Sequence, residues 1–267
     1  MLRVAPDRLL VAAGVGCLVA ALALRASPVD RALFLAINEA AWRLAPAALL
    51  SCVTILGHGL SATMLMSVSL LRRPGYLVAG VYATPVALLL SRLPKALIDS
   101  PRPAAILDAA SIHVNGIHLA GHNSFPSGHA ITAFLVVGVV LAGNGAKPLR
   151  WPAALAVALV GLAVALSRIA VGAHWPSDVA AGAGLGLLAG TAGALAQRRW
   201  PVDAKPAARV WLALLVLACA ATLTRLDLGY PLAQPLQFAL AALGAATAVV
   251  ALWRAWAERH HARHPPG

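Results

Sequence analysis

The chain has 267 residues, of which 60% are hydrophobic and only 11% charged, with a mean hydropathy of +0.80. Soluble domains carry roughly 25% charged residues, so composition excludes a soluble protein. The net charge of +12 does not point to nucleic acid, because the basic residues lie between apolar runs rather than along one face.

Apolar runs occur at about residues 9–24, 47–71, 76–93, 127–143, 152–167, 178–196, 210–223 and 235–253; the fifth and seventh are short. Runs of this kind cross about 30 Å of hydrocarbon as helices, since lipid does not tolerate unpaired backbone. The expected fold is an all-α polytopic membrane protein of about eight transmembrane helices. Residues 1–200 hold six spans and an interfacial helix, and residues 201–267 add two spans and a basic tail within one integrated membrane domain.

The first run follows basic residues and ends in "ALALRASP", which could pass for a cleaved signal. Its length, and the odd number of spans its removal would leave, favour a retained first span. "GVGC" around Cys17 lacks the upstream leucine of a lipoprotein box. In "SPVDRALFLAINEAAWRLAP", Leu33, Ile37 and Ala40 share a helical face away from Arg31, Glu39 and Arg43, as in a helix lying on the membrane surface. The longest polar connection runs from Pro94 to Pro126, and its His113, His118 and His122 read as solvated residues. In the sixth run Gly182, Gly186 and Gly190 recur every fourth residue, which suits close packing inside the bundle better than a homodimer seam. The tail "RAWAERHHARHPPG" suits anionic headgroups better than metal binding by His260, His261 and His264. Cys17, Cys52 and Cys219 lie in apolar runs without metal-ligand spacing, as buried thiols do. No repeat of 20–50 residues is evident.

With the N-terminus inside, the inner ends carry Arg3, Arg8, Arg72, Arg73, Lys147, Arg150, Arg198, Arg199, Lys205, Arg209, Arg254, Arg259 and Arg263. The outer ends carry Arg25, Arg31, Arg43, Arg92, Lys95, Arg102, Arg168 and Arg225. This split places both termini in the cytoplasm.

Three polar clusters fall on the outer side: "KALIDSPRP" after the third run, "PSGH" at the start of the fourth, and "SRIAVGAHWPSD" joining the fifth to the sixth. Each alone has a plain reading as span anchor, helix start or solvated loop. Together they supply what phosphoryl transfer needs, because charge spread over three equatorial oxygens is stabilised by fixed cations and N–H donors. Lys95, Arg102 and Arg168 are the cations, and the prolines on either side of Arg102 restrict its backbone. Ser127 and Gly128 offer amides at a helix start, a natural anion site. His129 can act as a general acid. His174 and Asp178 are four residues apart, a spacing that lets a carboxylate hold one imidazole nitrogen while the other attacks. Asp178 has a helix cap as its alternative role.

These clusters resemble the signature of the type-2 phosphatidic acid phosphatase superfamily, which includes membrane lipid phosphatases, glucose-6-phosphatase and soluble vanadium-dependent haloperoxidases. Lys95, Arg102 and Pro103 match its first motif, Pro126 to His129 its second, and Ser167, Arg168, His174 and Asp178 its third. The resemblance implies a six-helix core over roughly residues 30–200 and a mechanism through a phosphohistidine, without metal or other cofactor. In it His174 is the nucleophile, Asp178 its orienting partner and His129 the general acid, while Lys95, Arg102, Ser127, Gly128 and Arg168 bind phosphate. The hydropathy sets aside the haloperoxidases. "PVD" followed by "LFLAIN" resembles bacterial lipid phosphatases, which implies an inner-membrane enzyme with a periplasmic site. Its expected substrate is a lipid phosphate: undecaprenyl diphosphate first, then phosphatidylglycerophosphate or phosphatidic acid, then lipid A. A lipid-to-lipid phosphotransferase would use the same site. A transporter or scaffold would instead expect ionisable residues in mid-membrane, whereas here charge gathers at span ends.

Overall fold

The sixth apolar run is poor in large side chains, and that determines where it sits. In the computed structural model, which describes residues 6–143 and 149–263 (259–263 as backbone only), the chain folds as an all-α bundle. Its helices are α1 (Pro6–Arg25), α2 (Val29–Leu44), α3 (Ala47–Ile55), α4 (Gly59–Ser67), α5 (Gly75–Leu97), α6 (Pro103–Ile106), α7 (Gly128–Ala142), α8 (Trp151–Ala170), α9 (Pro176–Arg199), α10 (Pro206–Arg225) and α11 (Gln234–Arg263). Arg3 and Lys147 of the charge argument, and the tail side chains His260, His261 and His264, lie outside the described residues.

Helix α9 is the axis of the bundle, 67% buried along its apolar window where α1 is 11% buried. A methyl on Gly182 would come 2.6 Å from the Ser127 carbonyl, and methyls on Gly186 and Gly190 would overlap the carbonyls of Ile131 and Leu135. The glycine stripe is therefore the seam against α7, within one chain. Gly184 makes the same close approach to Gly14 of α1, and Gly193 to Ala79 of α5. Small residues on three sides of α9 let three helices press against its backbone.

Two of the eight expected spans take a different form. Helices α1, α5, α8, α9, α10 and the last are long and apolar enough to cross a membrane. The second run, residues 47–71, is broken instead into α3 and α4, because the backbone turns at Leu56–His58 and His58 becomes the extended N-cap of α4. Gly57 permits this break: a methyl there would meet Val164 at 2.8 Å and His129 at 2.9 Å. The fourth run yields α7, whose 15 residues span only roughly 22 Å at 1.5 Å per residue.

Helix α2 bends 116° from α3. Its protein-facing side is Phe34 and Asn38, both buried, while Leu33 and Ala40 stay exposed where lipid would cover them. The side chains that face inward are structural clamps. Asn38 Nδ2 donates to the carbonyls of His113, Ile169 and Ala170, and its Oδ1 accepts from the His113 amide at 2.7 Å. Asp30 accepts from the Ser177 amide at 2.8 Å and from the Ser177 hydroxyl, closing the head of α9. The three cysteines are unpaired and only partly buried, since each lies on a flank of its helix.

Candidate active site

The end of α5 delivers Lys95. Past Leu97 the chain turns extended at Ile98, and the next residues pair with the approach to α7. The Ser100 amide donates to His122 O, Arg102 N to Gly121 O and Ser124 N to Ser100 O. Lys95 Nζ donates to Asn123 O at 2.7 Å and Ser124 O at 3.3 Å. First and second clusters are thus locked to one another before any ligand is considered.

Helix α8 ends at Ala170, and Gly172 at φ +77° turns the chain back. A left-handed residue just past a helix is the usual place for glycine. The Arg168 carbonyl then receives the amides of Ala173 and His174, so helix end and turn place Arg168 and His174 together. Trp175 Nε1 donates to Pro101 O at 2.8 Å, which ties the third cluster to the first.

His174 is 3% exposed. Its Nδ1 lies 3.4 Å from Asp178 Oδ2 and 3.4 Å from Ser124 Oγ, and its Nε2 lies 3.4 Å from Arg102 Nη1. Arginine only donates, so the Arg102 side favours a bare Nε2 and leaves the ring proton on Nδ1, toward the carboxylate. Burial, then Arg102, Arg168 and Lys95, hold the His174 pKa well below the usual histidine range.

Asp178 caps the head of α9 and also faces His174. It is the third residue of α9, where its Oδ2 accepts from the Trp175 amide at 3.0 Å and from Ser124 Oγ at 2.5 Å while facing His174. His174 itself precedes the helix, so the pair meets across the helix start and not along one turn. Ser124, which motif spacing did not single out, stands between imidazole and carboxylate. Its only signal in the sequence was its place beside "PSGH".

Arg102 Nη1 donates to Ala173 O at 2.9 Å and its Nε to Asn123 Oδ1 at 3.2 Å. Burial and the nearby Arg168 charge push its pKa down, a sign that two guanidiniums crowd the same space. Arg168 is 3% exposed; its Nη1 donates to Thr54 Oγ1 and to the Tyr230 hydroxyl, both at 2.7 Å. Its Nε is buried without an acceptor, a donor that an anionic oxygen would satisfy.

At the head of α7 the Ser127 amide is engaged within the protein. The Ser127 amide donates to Asp178 O at 3.0 Å, and the Ser127 side chain caps the Ala130 amide. Ser127 is therefore a structural joint between α7 and α9. The amides of Gly128 and His129, the first two of the helix, have no intrahelical acceptor. The His129 ring is 6.3 Å from that of His58, whose buried Nδ1 has no partner; His58 came from the unforeseen break in the second run.

The loop histidines stay at the surface. His113 pairs with Glu39 and stacks on Trp42, His122 pairs with Asp99, and His118 is exposed. Among the described residues no group of three or more His, Cys, Asp or Glu side chains is placed to hold a metal ion.

The family model of the PAP2 superfamily matches residues 75–201. Over that segment, just under half of the chain, the sequence is similar to the PAP2 superfamily. Among solved structures this chain resembles LpxE of Aquifex aeolicus with a TM-score of 0.54 and 23% identity, over 62% of this chain and 95% of that one. At that identity the likeness speaks for the fold. No curated protein matches the sequence. The matched segment begins with α5 and ends with α9, so α10 and α11 fall outside it.

Proposed function

We propose that this protein is an integral membrane lipid phosphatase of the PAP2 superfamily, acting through a phosphohistidine. The observation that carries the proposal is a buried His174 whose Nε2 faces Arg102 and whose Nδ1 faces the Ser124–Asp178 pair. In the first step Nε2 attacks phosphorus, the bond to the lipid oxygen breaks, and protonated His129 gives that oxygen its proton. In the second step His129, now neutral, takes a proton from water. That oxygen attacks phosphorus, the P–N bond breaks, and inorganic phosphate leaves. Lys95, Arg102, Arg168 and the α7 amides hold the equatorial oxygens throughout, with Ser127 fixing the helix that carries Gly128. No metal takes part in this scheme.

The substrate class follows from where the site lies. All three clusters come together at one end of the bundle, where span ends would meet the lipid headgroups. A lipid phosphate could therefore enter sideways while its tails stay in the bilayer. Within that class undecaprenyl diphosphate ranks first, followed by phosphatidylglycerophosphate or phosphatidic acid and then lipid A. The proposed location is a bacterial inner membrane with the site facing the periplasm.

The test is phosphate release from purified lipid phosphates in detergent, with chelator present and no acceptor lipid. Release by the wild type and none by His174→Ala is expected. Release only when an acceptor lipid is added would assign the site to a phosphotransferase. No release from any lipid phosphate would overturn the proposal.

A further inference from the structure

The two C-terminal helices lie outside the matched core, yet their connecting turn reaches the site. Helices α10 and α11 run antiparallel, and Gln237 Nε2 donates to the carbonyls of Leu223 and Leu226 at 2.6 and 2.7 Å, closing the end of α10. The turn between them passes through Gly229 at φ +76°, its amide held by Asp227 Oδ1 at 2.7 Å. This turn packs on the loop before α7 at Gly116, itself at φ +80°, where a methyl would meet the Tyr230 ring at 2.6 Å. Both glycines are required: one by the turn, the other by the ring laid against it.

The result is a buried Tyr230, 7% exposed, whose hydroxyl accepts from Arg168 Nη1 at 2.7 Å while the ring lies 5.9 Å from the guanidinium carbon. Thr54 Oγ1 accepts from the same nitrogen at 2.7 Å. Both neutral oxygens sit on Nη1, and Nε is buried without an acceptor. They hold the guanidinium without neutralising it, as a carboxylate would. A buried arginine aimed by hydroxyls keeps its full charge for the transferring phosphoryl group.

We propose that Tyr230 is a positioning residue for Arg168, so that the α10–α11 pair completes the active site and does not merely enlarge the bundle. This rests on the reading of Arg168 as a phosphate-binding residue. Tyr230→Phe removes the hydroxyl and keeps the ring, so the fold should persist and the melting temperature should stay close to wild type.

The expected result is a kcat on lipid phosphate lowered about ten- to a hundred-fold, the size of one hydrogen bond to a charged group. KM should change less than about three-fold, because the aim of the guanidinium matters most where charge develops. Against an Arg168→Lys background the same change should cost less than about two-fold, since coupled residues do not add. Thr54→Val, the other oxygen on Nη1, should lower kcat in the same sense and serves as the second variant should Phe lower the melting temperature.

Binding of vanadate, read as a rise in melting temperature, separates this inference from the function itself. A wild type that binds vanadate but releases no phosphate would sink the phosphatase reading alone, and weaker vanadate binding by Tyr230→Phe would still support the positioning role. Wild-type kcat and vanadate binding in Tyr230→Phe would overturn that role. So would a variant that loses thermal stability at unchanged kcat, or a wild type that binds no vanadate at all.

Discussion

In the proposed mechanism His174 and His129 differ in what each bond-breaking step asks of them. His174 forms the new bond to phosphorus, so its loss removes every turnover. His129 supplies a proton, and that matters in proportion to how poor the leaving group is; general acids are worth roughly 10²–10⁴-fold. His174→Ala should therefore abolish release from phosphatidic acid and nitrophenyl phosphate alike. His129→Ala should lose far more on phosphatidic acid, whose alkoxide needs protonation, than on nitrophenyl phosphate. Activity of His174→Ala on the nitrophenyl ester, with none left in His129→Ala, would reverse the two roles. A pH prediction belongs to the same residue. The His174 pKa is lowered by burial and the surrounding cations, so below about pH 6.5, the usual histidine value, the unfolded chain takes up a proton that the folded one refuses. Stability is then fully present above that pH and falls as pH drops below it, by at most about 1.4 kcal/mol per pH unit from this group. Unfolding midpoints measured from pH 7.5 to 5 should show this fall, and a shallower one in His174→Ala. The spacing of Lys95, Arg102, Arg168, His174 and Asp178 was legible because motif residues sit at fixed offsets. Ser124 and His58 were not legible: a serine between two groups, and a histidine turned toward His129 by a helix break, leave no periodic trace.

Elements were legible wherever length and apolar content sufficed, as in α1, α5, α8 and α9. The second run was misread because hydropathy registers how apolar a segment is and not whether its backbone turns. Gly57 and His58 carry that turn. The Gly182, Gly186 and Gly190 stripe was read correctly as a packing face, and its partner is now α7. This yields a matched pair of substitutions. A methyl on Gly186 would overlap the Ile131 carbonyl, a backbone atom that must shift, whereas one on Gly16 meets nothing within 4 Å. Gly186→Ala should cost roughly 1–3 kcal/mol through overpacking. Gly16→Ala should be neutral or stabilising by up to about 1 kcal/mol, as alanine favours a helix interior over glycine. Thermal unfolding of both variants in one detergent checks the pair. Equal melting temperatures would mean that α7 and α9 are not seated as closely as described.

At the scale of the whole molecule the bundle has two chemically distinct ends. One holds Lys95, Arg102, Arg168 and His174. At the other, Asp7 bonds Arg198 at 2.7 Å, Arg198 reaches Ala142 O at 3.1 Å, and Arg254 reaches Leu71 O at 3.0 Å. The starts of α1 and α5 and the far parts of α9 and α11 therefore share the end away from the site. Fold geometry thus fixes which residues lie on opposite sides, and only charge decides which side faces the cytoplasm. The cations of the site end include the three proposed to bind phosphate. Setting them aside as functional sharpens the excess of Arg and Lys at the other end, which the positive-inside rule places in the cytoplasm. A reporter fused after Gly267 should then be active only if it works in the cytoplasm, and one inserted in the exposed turn at Gly121 only if it works outside. Phosphate release should continue in EDTA, since the proposed scheme draws every charge on the phosphoryl group from Lys95, Arg102, Arg168 and helix amides. Loss of release in EDTA with recovery on added magnesium would require a metal in the reaction. A C-terminal reporter active only outside the cytoplasm would invert the bundle and place the site on the cytoplasmic face, where undecaprenyl diphosphate presented from the periplasmic leaflet could not reach His174.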